Sequence, residues 1–371
     1  MGQLFSIFFG TIAGVIKLGP FIAEELLWGK KIANYDPSSV ELGAAVLKNN
    51  SEFQDGDFKD VYFDNAKDGC KLHAVMDTGR HRVKGKRPIV FVHGFPEMWI
   101  SWMDQLNYYA KKGHPVLALD MRGYGLSDKP KSLFHYHMFN YILEDVRAAV
   151  HYLTKDTKET PLLVAHDWGA SVCWAYVCQG KTTKDGEIVG YATLAIPPPE
   201  MFEAKMGLKQ FWASLYIIFF NMPWLPEFIM LFNNAWLIGR MMNATKVAKL
   251  PAWVTSTYRT NCLQERAMTA QLNYYRYVIQ KQPKPHSADV LGPKKDKQSG
   301  EMVAGRKLDL PILMIRGKDD GAITGDLFEG YEQYLTNARL LALDNCSHWI
   351  QADCPDRVNQ ELDKLLEQVD K

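Results

Sequence analysis

The stretch Leu162-Leu163-Val164-Ala165-His166-Asp167-Trp168-Gly169-Ala170-Ser171 reads as a strand ending at small Ala165, a turn holding Asp167, and a helix begun by Gly169. Small residues on either side let strand and helix approach closely, which drives the central side chain outward into a cleft. The helix N-terminus behind it stabilises negative charge. This is a nucleophile elbow with Asp where Ser is commoner. A carboxylate attacks without first losing a proton, and it suits displacement at a saturated carbon. The product is an alkyl ester, which water can cleave at the carboxyl carbon. Asp also caps helix N-termini for purely structural reasons, so the motif takes its weight from its surroundings.

Outward from the elbow, short β-rich runs alternate with longer helical patterns. Phe58–Phe63 and Leu72–Met76 read as a leading antiparallel pair with a turn at Asp68-Gly69. Pro88–His93, Pro115–Asp120, Pro161–His166, Ile188–Ile196, Pro311–Arg316 and Arg339–Leu343 follow; the first four are continuous apolar runs of the kind buried on both faces of a parallel sheet. Helices are expected at Trp102–Lys112, Met138–Leu153, Ala170–Gln179 and Pro355–Val369. The pattern implies an α/β fold around a mostly parallel sheet, with ligands at the carboxyl ends of the strands. After Pro197-Pro198-Pro199, residues 200–280 turn helical, aromatic and Met-rich, as expected of a helical lid inserted over the sheet's working edge. Much of that aromatic density is expected to be lid core. The expected organisation is a core of residues 50–199 and 305–371, with a lid and polar connecting loop at 200–304 and an apolar N-terminal segment at 1–30.

Two further motifs fall after strands. His93-Gly94-Phe95-Pro96-Glu97 is a turn suited to supply the Phe95 backbone N–H to an oxyanion hole, with a second from Trp168 just after the nucleophile. His93 itself reads as a buried structural histidine. Asn345-Cys346-Ser347-His348-Trp349 offers His348 as a general base, because deprotonating water calls for a pKa near neutrality. Its imidazolium needs a buried acid, and Asp319 and Asp320 in the loop after the preceding strand are the candidates. The chain order of nucleophile, acid, base is the one expected on this sheet.

Taken together, His93-Gly94-Phe95-Pro96-Glu97, Asp120-Met121-Arg122-Gly123-Tyr124-Gly125-Leu126-Ser127, His166-Asp167-Trp168-Gly169 and Ser347-His348-Trp349 resemble the epoxide hydrolase branch of the α/β-hydrolase superfamily, in its membrane-associated form. The resemblance spans residues 50–370. It favours Asp320 as the acid and implies two lid tyrosines that bind the epoxide oxygen. Leu272-Asn273-Tyr274-Tyr275-Arg276 nominates Tyr275, and Tyr216, ahead of Phe219-Phe220-Asn221 and Trp224, sits where the other is expected. A phenol of pKa about 10 can donate to the alkoxide that develops as a strained ring opens. Arg316 stands where relatives carry Trp, and the stretch Gln282–Lys307 is longer than the resemblance leads one to expect. The implied reaction is hydrolysis of lipophilic epoxides to vicinal diols, in lipid metabolism or detoxification. The alternatives are a haloalkane or haloacid dehalogenase, or a non-catalytic binder of lipophilic ligands.

With 43 basic and 42 acidic residues, no global field favours nucleic acid. No HExxH spacing suggests a metal, and the reaction calls for no cofactor. Six scattered cysteines without a CxxC pair read as free thiols in a reducing compartment. Asn-x-Ser/Thr triplets at Asn49, Asn243 and Asn345 are a weak counter-signal, since the last lies beside His348. Leu4–Ile16 is uncharged and apolar character resumes after Lys17 through Ala23, long enough for membrane attachment. Lys17, Lys30 and Lys31 then place the catalytic part in the cytosol, with the endoplasmic reticulum one such membrane. Met1-Gly2-Gln3-Leu4-Phe5-Ser6 also fits the permissive myristoylation pattern.

Overall fold

The structure is a computed structural model. It describes residues 36–371 apart from 52, 54–56, 158, 179–186, 244–248, 282–290, 293, 296–301 and 304–305. The expected N-terminal segment at 1–30 and most of the polar connection after 281 therefore lie outside the described residues. Among the described residues no helix is long and apolar enough to cross a membrane.

Eight strands form one sheet: β1 Phe58–Asp64, β2 Lys71–Asp77, β3 Ile89–Val92, β4 Val116–Asp120, β5 Leu162–His166, β6 Gly190–Leu194, β7 Ile312–Gly317 and β8 Ala338–Leu343. Their spatial order is β1-β2-β4-β3-β5-β6-β7-β8. β1 pairs antiparallel with β2 and β2 with β4, and every other pairing is parallel. The continuous apolar runs become central strands: every residue of β3, β4, β5 and β6 is buried. Full burial of alternating side chains requires cover on both faces. α1 (Met103–Lys111), α2 (Leu143–Thr154), α3 (Asp167–Cys178) and the C-terminal helix Pro355–Val369 contribute to that cover. The fold is the α/β architecture expected from the alternation.

Between β6 and β7 the chain leaves the sheet for a helical insertion: α4 Pro199–Ala204, α5 Leu208–Ala213, α6 Leu215–Phe220, α7 Leu225–Met242, α8 Ala252–Leu263 and α9 Ala267–Gln280. α7 is interrupted by non-helical backbone from Phe232 to Ala235. The insertion is fastened to the core by polar contacts between loops and helices. Asn261 on α8 accepts from Gly125 N (2.7 Å) and donates to Glu97 O (3.0 Å), while Gln264 donates to Gly125 O (2.8 Å). On α9 the Tyr274 phenol donates to Arg122 O at 2.9 Å.

Three expectations need correction. The helix after β5 starts at Asp167 rather than Ala170, because the nucleophile's own backbone turns the corner. β6 is shorter than Ile188–Ile196: Ala195 takes a positive φ of 70° and ends it ahead of the three prolines. Finally, four cysteines are free, but Cys346 and Cys354 are joined as a disulfide. The short helix Ile350–Asp353 folds the chain back between them.

Candidate active site

The parallel strands carry their loops to a common edge, and the motif residues converge there. Asp167 sits at the end of β5 with φ 48°, the left-handed region that residues with a Cβ rarely occupy. Two glycines make room for it. A Cβ on Gly94 would lie 2.4 Å from the Asp167 Cβ, and one on Gly169 would lie 2.4 Å from the His93 carbonyl oxygen. The elbow therefore needs glycine on the neighbouring turn and at the third position of its own helix.

Asp167 is buried, and its two oxygens have different partners. Oδ1 accepts the Phe95 backbone N–H at 2.8 Å, and Oδ2 faces His348 Nε2 at 3.3 Å. The other imidazole nitrogen, Nδ1, donates to Asp320 Oδ2 at 2.8 Å. Asp320 is itself oriented by the N–H groups of Ala322 (2.7 Å) and Ile323 (3.0 Å). Asp319, one residue earlier, donates its N–H to Cys346 O.

The electrostatics follow from this arrangement. Burial opposes ionisation of Asp167, but its hydrogen bond to His348 and the positive charge of His348 hold its pKa below the usual carboxylate value. Burial likewise opposes the charged form of His348. Asp320 first, and Asp167 with it, overcome that and raise the imidazole well above its ordinary value. The two carboxylates thus favour the protonated form of the imidazole, which can donate to both.

Facing Asp167, the insertion supplies aromatic side chains. Tyr275 and Tyr216 stand edge to face with centroids 6.0 Å apart. Tyr275 also meets Trp168 at 4.8 Å, Phe220 at 5.0 Å and Phe95 at 5.3 Å. Burial raises both phenol pKa values, with negative Asp167 adding to the effect, so each keeps its proton to donate. Trp168 thus serves the site with its ring as well as through its place after Asp167.

One group was missed in the sequence. His166, in the elbow itself, donates from Nδ1 to Glu97 Oε2 (2.7 Å) and from Nε2 to His348 O (2.9 Å). Glu97 also accepts from Gly94 N (2.9 Å) and from Gln351 Nε2 (2.7 Å). This buried network ties the nucleophile's strand, the Phe95 turn and the His348 loop together. Its only sequence signals were a histidine next to the nucleophile and the acid closing the His93–Glu97 motif. His93 is buried and structural, accepting Met121 N at 3.1 Å and donating to Gly94 O at 2.8 Å.

Comparison with known proteins bears on the fold and the family. Residues 87–217 match the family model described as alpha/beta hydrolase fold. The chain is 31% identical over 278 residues to the AB hydrolase superfamily protein YfhM of Bacillus subtilis, covering 73% of this chain and 87% of that protein. It is 28% identical over 290 residues to Epoxide hydrolase 2 of Caenorhabditis elegans, covering 75% of this chain and 73% of the relative. Against Epoxide hydrolase 4 of Homo sapiens the figures are 26% over 302 residues, 79% and 74%. Among solved structures, the Bacillus megaterium epoxide hydrolase in complex with an inhibitor shares the fold. Its TM-score is 0.65 at 24% identity, over 83% of this chain and 100% of that one.

Proposed function

The chain belongs to the epoxide hydrolase branch of the α/β-hydrolase superfamily, and on that premise we propose that it converts lipophilic epoxides to vicinal diols through an ester on Asp167. The observation that carries the reading is the placement of the buried Asp167 carboxylate at the turn after β5. It is braced by Phe95 N–H and His348 on the sheet side and faced by the Tyr216–Tyr275 pair.

In the first step an Asp167 oxygen attacks one epoxide carbon. The ring C–O bond breaks, and its electrons go to an oxygen that takes a proton from Tyr275 or Tyr216. His348 then gives up its proton and the tyrosinate regains one, and in the second step water adds to the ester carbonyl carbon and gives its proton to the neutral His348. The tetrahedral oxyanion rests on the N–H groups of Phe95 and Trp168. Collapse breaks the bond to the substrate oxygen, which takes the proton of the added hydroxyl, so that the diol leaves and the carboxylate and imidazolium are restored.

The pKa relation between the two steps is part of the reading. Two carboxylates keep His348 charged at rest. Forming the ester removes the charge of one of them, so the imidazole pKa falls when a base is needed. Only the pairing with Asp320 (2.8 Å) then remains to orient the ring and support the proton it takes.

The aromatic walls, Phe95, Phe220 and Trp168, support an apolar substrate, as does the uncharged stretch Leu4–Ile16. In the same reading that stretch attaches the protein to a membrane with its catalytic part on the cytosolic side. The direct test is turnover of styrene epoxide and a long-chain fatty-acid epoxide, with diols identified by mass spectrometry. Diol from both, with the long-chain substrate favoured, is expected. Folded protein that opens neither epoxide, or that releases halide from haloalkanes instead, contradicts the reading.

A further inference from the structure

Of the thirteen large apolar side chains exposed among the described residues, nine belong to the helical insertion. Their arrangement on two helices is the reverse of the usual one. On α5, Leu208, Phe211 and Trp212 follow helical spacing and face outward, with Leu208 81% and Trp212 56% exposed. One polar residue of the same helix, Gln210, turns inward while Lys209 stays exposed. Gln210 is buried, donates to Ala322 O (2.9 Å) and accepts Thr324 N (2.9 Å) in the loop that carries Asp320. At the start of α7 the inversion repeats. Glu227 turns inward to Arg276 (2.7 Å), while Trp224 and Phe228 are 71% and 62% exposed. Phe228 meets exposed Phe232, with ring centroids 6.1 Å apart. Trp224 is held outward in the left-handed region, φ 52°, where an L residue is strained.

Exposed apolar side chains clustered on two elements of one insertion mark a binding surface. The path of the chain favours one occupant. The turn at Pro37–Ser39, where the described residues begin, packs against α8 of the insertion. The described chain therefore begins on the insertion side of the molecule. Twelve residues separate Asp36 from the apolar stretch that ends at Ala23, at most about 45 Å of chain. Tryptophans suit the headgroup level of a bilayer, and Lys205 and Lys209 (with Glu203 before them) border the α5 face and suit anionic headgroups.

We propose that the outer face of the insertion, centred on Leu208, Phe211, Trp212, Trp224 and Phe228, docks on a lipid bilayer beside the N-terminal segment. Docking through this face turns the active-site cover toward the membrane, from which lipophilic substrates would come; only that last consequence rests on the proposed activity.

The test is hydrogen exchange by mass spectrometry on the full chain, with and without vesicles of phosphatidylcholine and phosphatidylserine. Amides of 206–213 and 224–232 are expected to exchange at least about fivefold more slowly on vesicles, with β3 and β5 unchanged. Protection confined to residues before 36 overturns the proposal. So does strong protection of the same amides without vesicles, which means that the chain's own segment or a second copy covers the face. A full-chain variant carrying Leu208→Ser, Trp212→Ser and Trp224→Ser is expected to lose about tenfold in vesicle affinity while its core exchange stays native. Undiminished affinity contradicts the proposal, and neither readout depends on epoxide turnover.

Discussion

The two walls of the candidate site are built by different physics. On the sheet side, Asp167, His348 and Asp320 are aimed by hydrogen bonds, each to a partner on another loop. On the insertion side, Tyr216 and Tyr275 stand chiefly among edge-to-face ring contacts, to which Tyr275 adds a hydrogen bond with Trp168. A hydrogen bond fixes distance and direction tightly, whereas a ring contact fixes a position and tolerates small rotations. The chemistry calls for that division. Charge is handled where the geometry is rigid, and the substrate is gripped where shape can adapt.

Substitutions can break this contrast in graded steps. Asp167→Ala is expected to abolish turnover, by about 10⁴-fold or more in kcat, as removal of a nucleophile does elsewhere. His348→Gln is expected to reduce kcat by about 10³-fold or more while sparing the first step. A stoichiometric ester should then accumulate, visible as intact mass equal to protein plus epoxide. Loss of ester formation along with turnover would place His348 in the alkylation step instead.

Asp320→Asn should slow ester hydrolysis by about 10²-fold or more. It also removes a charge that raises the His348 pKa, so the His348 titration should move to lower pH, as read by NMR of the imidazole. On the insertion side, Tyr275→Phe or Tyr216→Phe is expected to slow alkylation by about 10- to 100-fold and to leave hydrolysis of a preformed ester unchanged. The double variant should lose far more than either alone, because each phenol can cover for the other.

The smallest expected effect lies away from the site. His73 is buried between Asp120 (2.7 Å) and Asp60 (2.9 Å). Burial alone would lower its pKa, but the two carboxylates raise it to about 9. A group raised on folding contributes stability that is full below its unfolded value, about 6.5. That contribution is lost as pH rises through about 9. A Tm decline of a few degrees across that window is expected, and a smaller one in His73→Gln. Equal declines would remove His73 from the explanation.

The sequence made some of this legible for identifiable reasons. Strands β3 to β5 could be read because continuous burial leaves continuous apolar runs, and Asp167 because an elbow is a local motif of small residues. The network of Glu97, His166 and Gln351 could not, since Gln351 meets Glu97 across 254 positions. The same holds for the Cys346–Cys354 bond, because the chain reversal at Ile350–Asp353 leaves no pattern in spacing. Periodicity on α5 and α7 defines an apolar face, but it carries no information about which way that face points. Only the inward anchors Gln210 and Glu227 reveal it.

The central claim is that Asp167 becomes covalently attached to the substrate, and it is tested most directly by one turnover with excess enzyme in heavy-oxygen water. Heavy oxygen is expected in the Asp167 carboxylate of the recovered peptide, and the first-formed diol should carry none from the solvent. Heavy oxygen in that diol, with an unlabelled Asp167, would mean that water attacks the epoxide directly and that the carboxylate is not the nucleophile.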